Sequence, residues 1–193
     1  MLSIRTYHHQ PLGGVQMSRV KKVCLIVPLA CDLAEQGRKL GPESIWRLRK
    51  ALGVYYSKLA DGWQVMFTFS AGMAPPKSCP NQTMSMSFLQ RQFLSYLGVA
   101  DQHMGYTTKP SWGSRAEMAE ALTQANTMGQ GEIEVIFVSS WYHLPRLRLL
   151  LRQHLGAEKA RLNITISFNA SRGRLINALK EPAKLLVQFL GLA

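Results

Sequence analysis

Short apolar runs alternate with stretches of helical spacing from residue 23 to the end of the chain. No other feature restricts the fold as much. Residues 23–28 (VCLIVP) form a continuous apolar run, the pattern of a strand buried on both faces. Residues 44–61 carry Ile45, Leu48, Leu52, Tyr55 and Leu59 at helical intervals. A strand over 65–69 follows and breaks at Ser70-Ala71-Gly72, before a turn-rich loop through Pro75, Pro76 and Pro80. A helix over 85–97 ends at Gly98, a short strand falls near 104–107, and a third helix spans 114–128. Residues 133–139 are the clearest strand, with a helix over 145–155 after it. Residues 162–168 (LNITISF) alternate like an outer strand, and a last helix from about 171 is kinked or split by Pro182.

Five repeats of strand then helix predict one α/β domain, Rossmann-like and three-layered, with a mostly parallel sheet of about five strands. The domain spans residues 19–193. Residues 1–18 read as a loose polar leader, and Met17 is as good a start as Met1. The 193 residues are enough for one sizeable core. No run is long and apolar enough for a membrane span or a secretory signal. Cys24, Cys31 and Cys79 are odd in number and form no CxxC pair, which together with the missing signal points to a reducing, cytoplasmic setting.

The net charge of +12 draws anions: phosphorylated metabolites, nucleic acid or an acidic surface. Glycine-rich phosphate loops (GxxxxGK[ST] or GxGxxG) are absent, and no HExxH or paired CxxC suggests a metal. In open α/β sheets ligands bind at the carboxyl ends of the strands. Three of those ends carry small or polar residues: Ala30-Cys31-Asp32, Ser70-Ala71-Gly72 and Ser139-Ser140.

The last of these ends opens into Trp141-Tyr142-His143-Leu144-Pro145-Arg146. Pro145 suits the first turn of a helix, so His143 and Arg146 flank a helix N-terminus, where backbone donors favour an anion. Arg146 adds a planar cationic fork, and His143 a proton donor or acceptor near neutral pH. Read as ordinary surface chemistry, the same residues are a capped turn and a solvated arginine. A serine nucleophile at Ser139 or Ser140 lacks a GxSxG elbow. Ser114-Arg115-Ala116-Glu117 matches the capping box S-x-x-E, and read alone it is a helix start. Gly41-Pro42-Glu43-Ser44 is another, with Arg47 one turn inside.

In order along the chain, these motifs resemble the YdcF-like and SanA-like family, domain of unknown function 218. Arg47-Leu48-x-x-Ala51 resembles the family's arginine-leucine helix, and Ser70-Ala71-Gly72 its Ser-Gly-Gly strand end. Ser111-Trp112-Gly113-Ser114, with Glu117 downstream, is similar to its Ser-x-x-Thr helix opening. The stretch from Val138 to Arg146 is similar to its strongest signature: a strand, Thr-Ser, an aromatic, His, a hydrophobe and Arg. The resemblance covers roughly residues 20–156. The chain departs from the pattern where Leu29-Ala30-Cys31 replaces glycines and where residues 84–88 (MSMSF) lack an acid.

The resemblance implies a Rossmann-like fold with a polar cleft and links to S-adenosylmethionine. On it, His143 is the expected proton-transfer or orienting residue. Asp32, Arg47, Ser70, Gly72, Ser114, Glu117, Ser139, Ser140 and Arg146 are the expected ligand contacts. The expected ligand is an anionic or nucleotide-like small molecule, and hydrolysis or transfer of a phosphorylated group would suit the site. Two alternatives stand beside this reading: nucleic-acid binding by the basic surface, and a non-catalytic interaction protein with a decayed cleft.

Overall fold

The computed structural model describes residues 21–73, 79, 81–111, 113–128, 131–154 and 164–190. The expected leader over 1–18, most of the proline-rich loop and Trp112 lie outside them. The strands and helices are β1 Lys22–Pro28, β2 Leu33–Ala34, β3 Lys39–Leu40, α1 Pro42–Ala60, β4 Gln64–Ala71, α2 Met86–Tyr96, β5 Met104–Ser111, α3 Ser114–Thr127, β6 Glu132–Ser140, α4 Leu144–His154, β7 Ile164–Ser171, α5 Leu175–Ala178 and α6 Glu181–Phe189. The fold is α/β, with a five-stranded sheet in the order β5-β4-β1-β6-β7. Every pairing in it is parallel.

Successive side chains of a strand point to opposite faces, and the central strand supplies apolar residues to both. Cys24 and Ile26 pack with Leu48, Ala51 and Tyr55 of α1 and with Met86 and Leu89 of α2. Leu25 and Val27 pack with Met118 and Leu122 of α3 and with Leu147 and Leu151 of α4. The result is three layers, helix–sheet–helix. Cys24 is fully buried among apolar neighbours, which pushes its thiol up to about 12 and leaves it inert.

The strands lie where the apolar runs put them, and only their ends differ. β5 runs to Ser111, beyond the short strand expected. β7 is an edge strand as its alternation implies, but it extends to Ser171, where the spacing predicts a helix. The helical segment after it divides at Leu179–Lys180 rather than at Pro182. Pro182 instead lies in the first turn of α6, where its missing N–H breaks no bond. The small antiparallel β2–β3 pair has no counterpart in the sequence reading. It turns through Glu35 (φ 47°), Gln36 (φ 56°) and Gly37 (φ 89°).

Strand order reverses between β1 and β6. The chain steps outward from β1 through β4 to β5, then crosses to β6 and β7 on the other side. The loops after β1 and β6 therefore diverge and leave a crevice at their carboxyl ends.

Candidate functional site

That crevice holds a cavity of about 420 Å³. Its lining comes from the loop after β1 (Ala30, Cys31, Asp32), from α1 (Arg47), from the start of α3 (Gly113, Ser114, Glu117) and from the corner after β6 (Tyr142, His143, Arg146). Asn177 of α5 and Glu181 and Lys184 of α6 complete it. Six of the expected site residues thus meet at one place: Asp32, Arg47, Ser114, Glu117, His143 and Arg146. Gly72 does not line the cavity. Its carbonyl accepts from the Met86 N–H at 3.0 Å and so positions α2. Ser70 lies in β4, and its side chain is outside what is described.

Ser139 and Ser140 sit beneath the cavity, both fully buried. Ser140 Oγ accepts from Arg47 Nε at 3.1 Å and from Nη2 at 3.0 Å. Arg47 Nη1 donates to the carbonyls of Leu29 (2.9 Å) and Ala30 (2.8 Å). Arg47 is therefore a strut that locks the loop after β1 to the end of β6. It places positive charge under the cavity floor without offering a free fork.

His143 is buried, between Ser139 Oγ at 2.9 Å from Nδ1 and Arg146 Nη2 at 2.5 Å from Nε2. A guanidinium only donates, so Nε2 is the acceptor and Nδ1 carries the proton, donating to Ser139. Burial, then the charges of Arg146, Arg47 and Lys184, pull the imidazole down to about 2, so it is neutral. Ser114 Oγ lies 3.4 Å from the same Nε2.

The capping box does not form. Glu117 turns away from its own helix, and its Oε2 accepts from the Ala30 N–H at 2.9 Å, at the end of β1. Gly113, with φ 97°, takes the cap position of α3 without any side-chain hydrogen bond. Among the described residues no side chain caps the first turn of α3, which meets the cavity. Burial pushes the Glu117 carboxyl up to about 6 against the pull of the Ala30 N–H and of Arg47, so it titrates close to neutrality.

Asp32 does the capping that sequence would assign elsewhere. Its Oδ1 accepts from the Ser44 N–H at 2.8 Å, and Oδ2 from the Glu43 N–H at 3.4 Å. Its carboxylate thus holds the start of α1 while one edge faces the cavity.

Sequence reasoning passed over Glu43, which is fully buried. Its carboxylate accepts from Cys31 Sγ at 3.0 Å, from Tyr142 OH at 2.5 Å and from the Arg174 N–H. Burial would raise its carboxyl, but these donors and Asn177 outweigh it and hold Glu43 below the usual range, charged. Glu43 ties the ends of β1 and β6 to the segment after β7. Glu181 was also missed. It is nearly buried, accepts from Arg146 Nε at 2.9 Å and from Lys184 Nζ at 2.9 Å, and occupies the Arg146 fork from inside the cavity. An acid in the first turn of a helix usually answers the helix dipole, so nothing local marked either residue.

Among the described residues no group of His, Cys, Asp and Glu could hold a metal ion. None of their helices is long and apolar enough to cross a membrane. Comparison of the chain with protein-family models, with curated proteins and with solved structures gives no match.

Proposed function

We propose that this protein binds an anionic, nucleotide-like small molecule at the carboxyl ends of its strands, and that it is a member of the YdcF-like family. The observation that carries this reading is the uncapped N-terminus of α3 beside the His143–Arg146 pair. Helix donors with no side-chain partner among the described residues and a guanidinium converge on one cavity, the arrangement that receives a phosphate or carboxylate. Arg47 adds positive charge beneath the same space, and Arg146 and Lys184 together outweigh the one Glu181 carboxylate they share. The cavity is open rather than filled by its own side chains, which favours a ligand site over a decayed cleft.

The groups also suit chemistry on a phosphorylated group. Burial holds His143 down first and the nearby cations second; a bound anion that draws Arg146 away frees the Nε2 lone pair and offsets those charges, so binding raises the basicity of Nε2. The imidazole then takes a proton from Ser114, from water or from a ligand hydroxyl. Glu117, titrating near 6, is the second proton carrier of the cleft.

A thermal-shift screen tests the reading. Nucleotides, S-adenosylmethionine, sugar phosphates and a short oligonucleotide are offered to the wild type and to His143→Ala and Arg146→Ala. A small-molecule shift that disappears in Arg146→Ala, with the fold intact, is expected. A shift from the oligonucleotide alone, unchanged in both variants and steeply salt-dependent, would replace this reading with nucleic-acid binding. An Arg146→Ala protein that binds as the wild type does would remove Arg146 from the site.

A further inference from the structure

Helix α6 is amphipathic, and it is packed with its polar edge inward. At about 100° per residue, Glu181 and Lys184 fall on one narrow edge, while Leu185, Leu186, Val187 and Phe189 spread over more than half of the circumference. A helix of this pattern ordinarily turns its apolar arc to the core. Here the polar edge faces the cavity, because Glu181 is held by Arg146 on α4. Leu186 is 59% exposed, Phe189 69% and Leu190 59%. The short α5 before it adds Leu175 at 73% and Leu179 at 73%. Most of the strongly exposed large apolar side chains among the described residues belong to this one segment. Scattered exposed apolar residues are ordinary, but a contiguous cluster is a contact surface.

Charge decides what covers it. Arg172, Arg174 and Lys180 are exposed, and the segment's one acid, Glu181, is tied inward with Lys184 paired to it. A second copy would bring two chains of net charge +12 together through the same basic segment. A protein groove takes a stripe of side chains, whereas this arc is wide and flanked by cations. That is the pattern of a helix lying in a lipid interface, apolar residues among the acyl chains and basic residues at the headgroups. We infer that α5 and α6 form a docking surface for an anionic membrane, on which the protein sits peripherally with its cleft beside the bilayer. This does not depend on the ligand of the cleft.

The test is sedimentation of the full chain with vesicles of phosphatidylcholine alone, or with about one-third phosphatidylglycerol. The wild type should partition at least about tenfold more strongly onto the anionic vesicles. Leu186→Ser/Phe189→Ser should abolish that partition with the melting temperature unchanged, since both side chains are exposed. Lys180→Glu should weaken it several-fold. If the wild type stays in the supernatant at low salt, the inference fails. If the double variant still binds anionic vesicles as the wild type does, the attraction is to the general basic surface and the inference fails equally. A concentration-dependent dimer in solution that the double variant abolishes, with no vesicle binding, would assign the surface to a second copy instead.

Discussion

Arg47 offers the sharpest check on how the cleft is built. It is 2% exposed and makes four hydrogen bonds, two to the carbonyls of Leu29 and Ala30 and two to Ser140 Oγ. Methionine fills much of the same volume without any donor. In Arg47→Met the Ala30 carbonyl, at the cavity wall, rehydrates. The Leu29 carbonyl is buried and does not, and the buried Ser140 oxygen loses both donors and keeps only its contact with Tyr142. Each orphaned group costs about 1–3 kcal/mol. Removing a buried cation returns part of this, leaving a net loss of roughly 3 kcal/mol. For a chain of this size that lowers the melting temperature by roughly 6–12 °C. Urea unfolding at neutral pH, with calorimetry alongside, reads both quantities. A double-mutant cycle makes the test specific. Ser140→Ala removes one of the orphaned groups, so Arg47→Met should cost about 1 kcal/mol less in that background. Strict additivity, or a melting temperature within about 2 °C of the wild type, would refute the strut and leave Arg47 a ligand residue.

Three other outcomes concern the titrating and charged groups of the cleft, and a fourth its backbone. Glu181→Gln frees the Arg146 fork, so inorganic phosphate should bind roughly five- to tenfold more tightly by calorimetry; equal affinity would mean that Glu181 does not compete with the ligand. The folded pKa of His143 is depressed, so the stability it contributes is full above about 6.5 and falls by about 1.4 kcal/mol per pH unit below that; a wild type that does not lose stability relative to His143→Gln between pH 6.5 and 5 contradicts a buried neutral imidazole. The folded pKa of Glu117 is raised, so its contribution is lost as pH rises from about 4.5 through 6, and Glu117→Gln should exceed the wild type by about 2 kcal/mol at pH 7.5 but not at pH 4.5. Finally, a methyl group on Gly41 would meet the Asp32 carboxylate, so Gly41→Ala should cost about 1–3 kcal/mol and most of that loss should vanish in Asp32→Ala.

The parallel sheet was legible because its strands are buried on both faces. A run such as VCLIVP suits little but the middle of such a sheet, and five strands separated by helical spacing leave a single fold class. That the cavity at the strand ends is lined by Asp32, Ser114, Glu117, His143 and Arg146 followed from the same logic, since each stands just after a strand or opens a helix. Strand order did not follow, because nothing in the spacing says on which side of β1 the chain sets β6. The capping box shows the limit of local reading. Ser114 and Glu117 have the correct spacing, but the Ala30 N–H competes for Glu117 from 87 residues away in sequence. Glu43 and Glu181 look like common first-turn acids until the segment after β7 folds over the cleft. The amphipathic pattern of α6 was visible in the residues, but which edge faces the protein depends on Arg146.

Glu43 joins groups from distant parts of the chain, and this orders the events of biosynthesis. Its partners Cys31 and Tyr142 come from the loops after β1 and β6, while the Arg174 N–H belongs to a segment made after every strand of the sheet. A nascent chain ending before residue 172 already holds all five strands, but the Glu43 carboxylate lacks a donor and the cavity lacks the wall supplied by Asn177, Glu181 and Lys184. The scaffold is therefore specified before the cavity, and a chain truncated before residue 172 would hold every strand of the sheet while lacking one wall of the cleft.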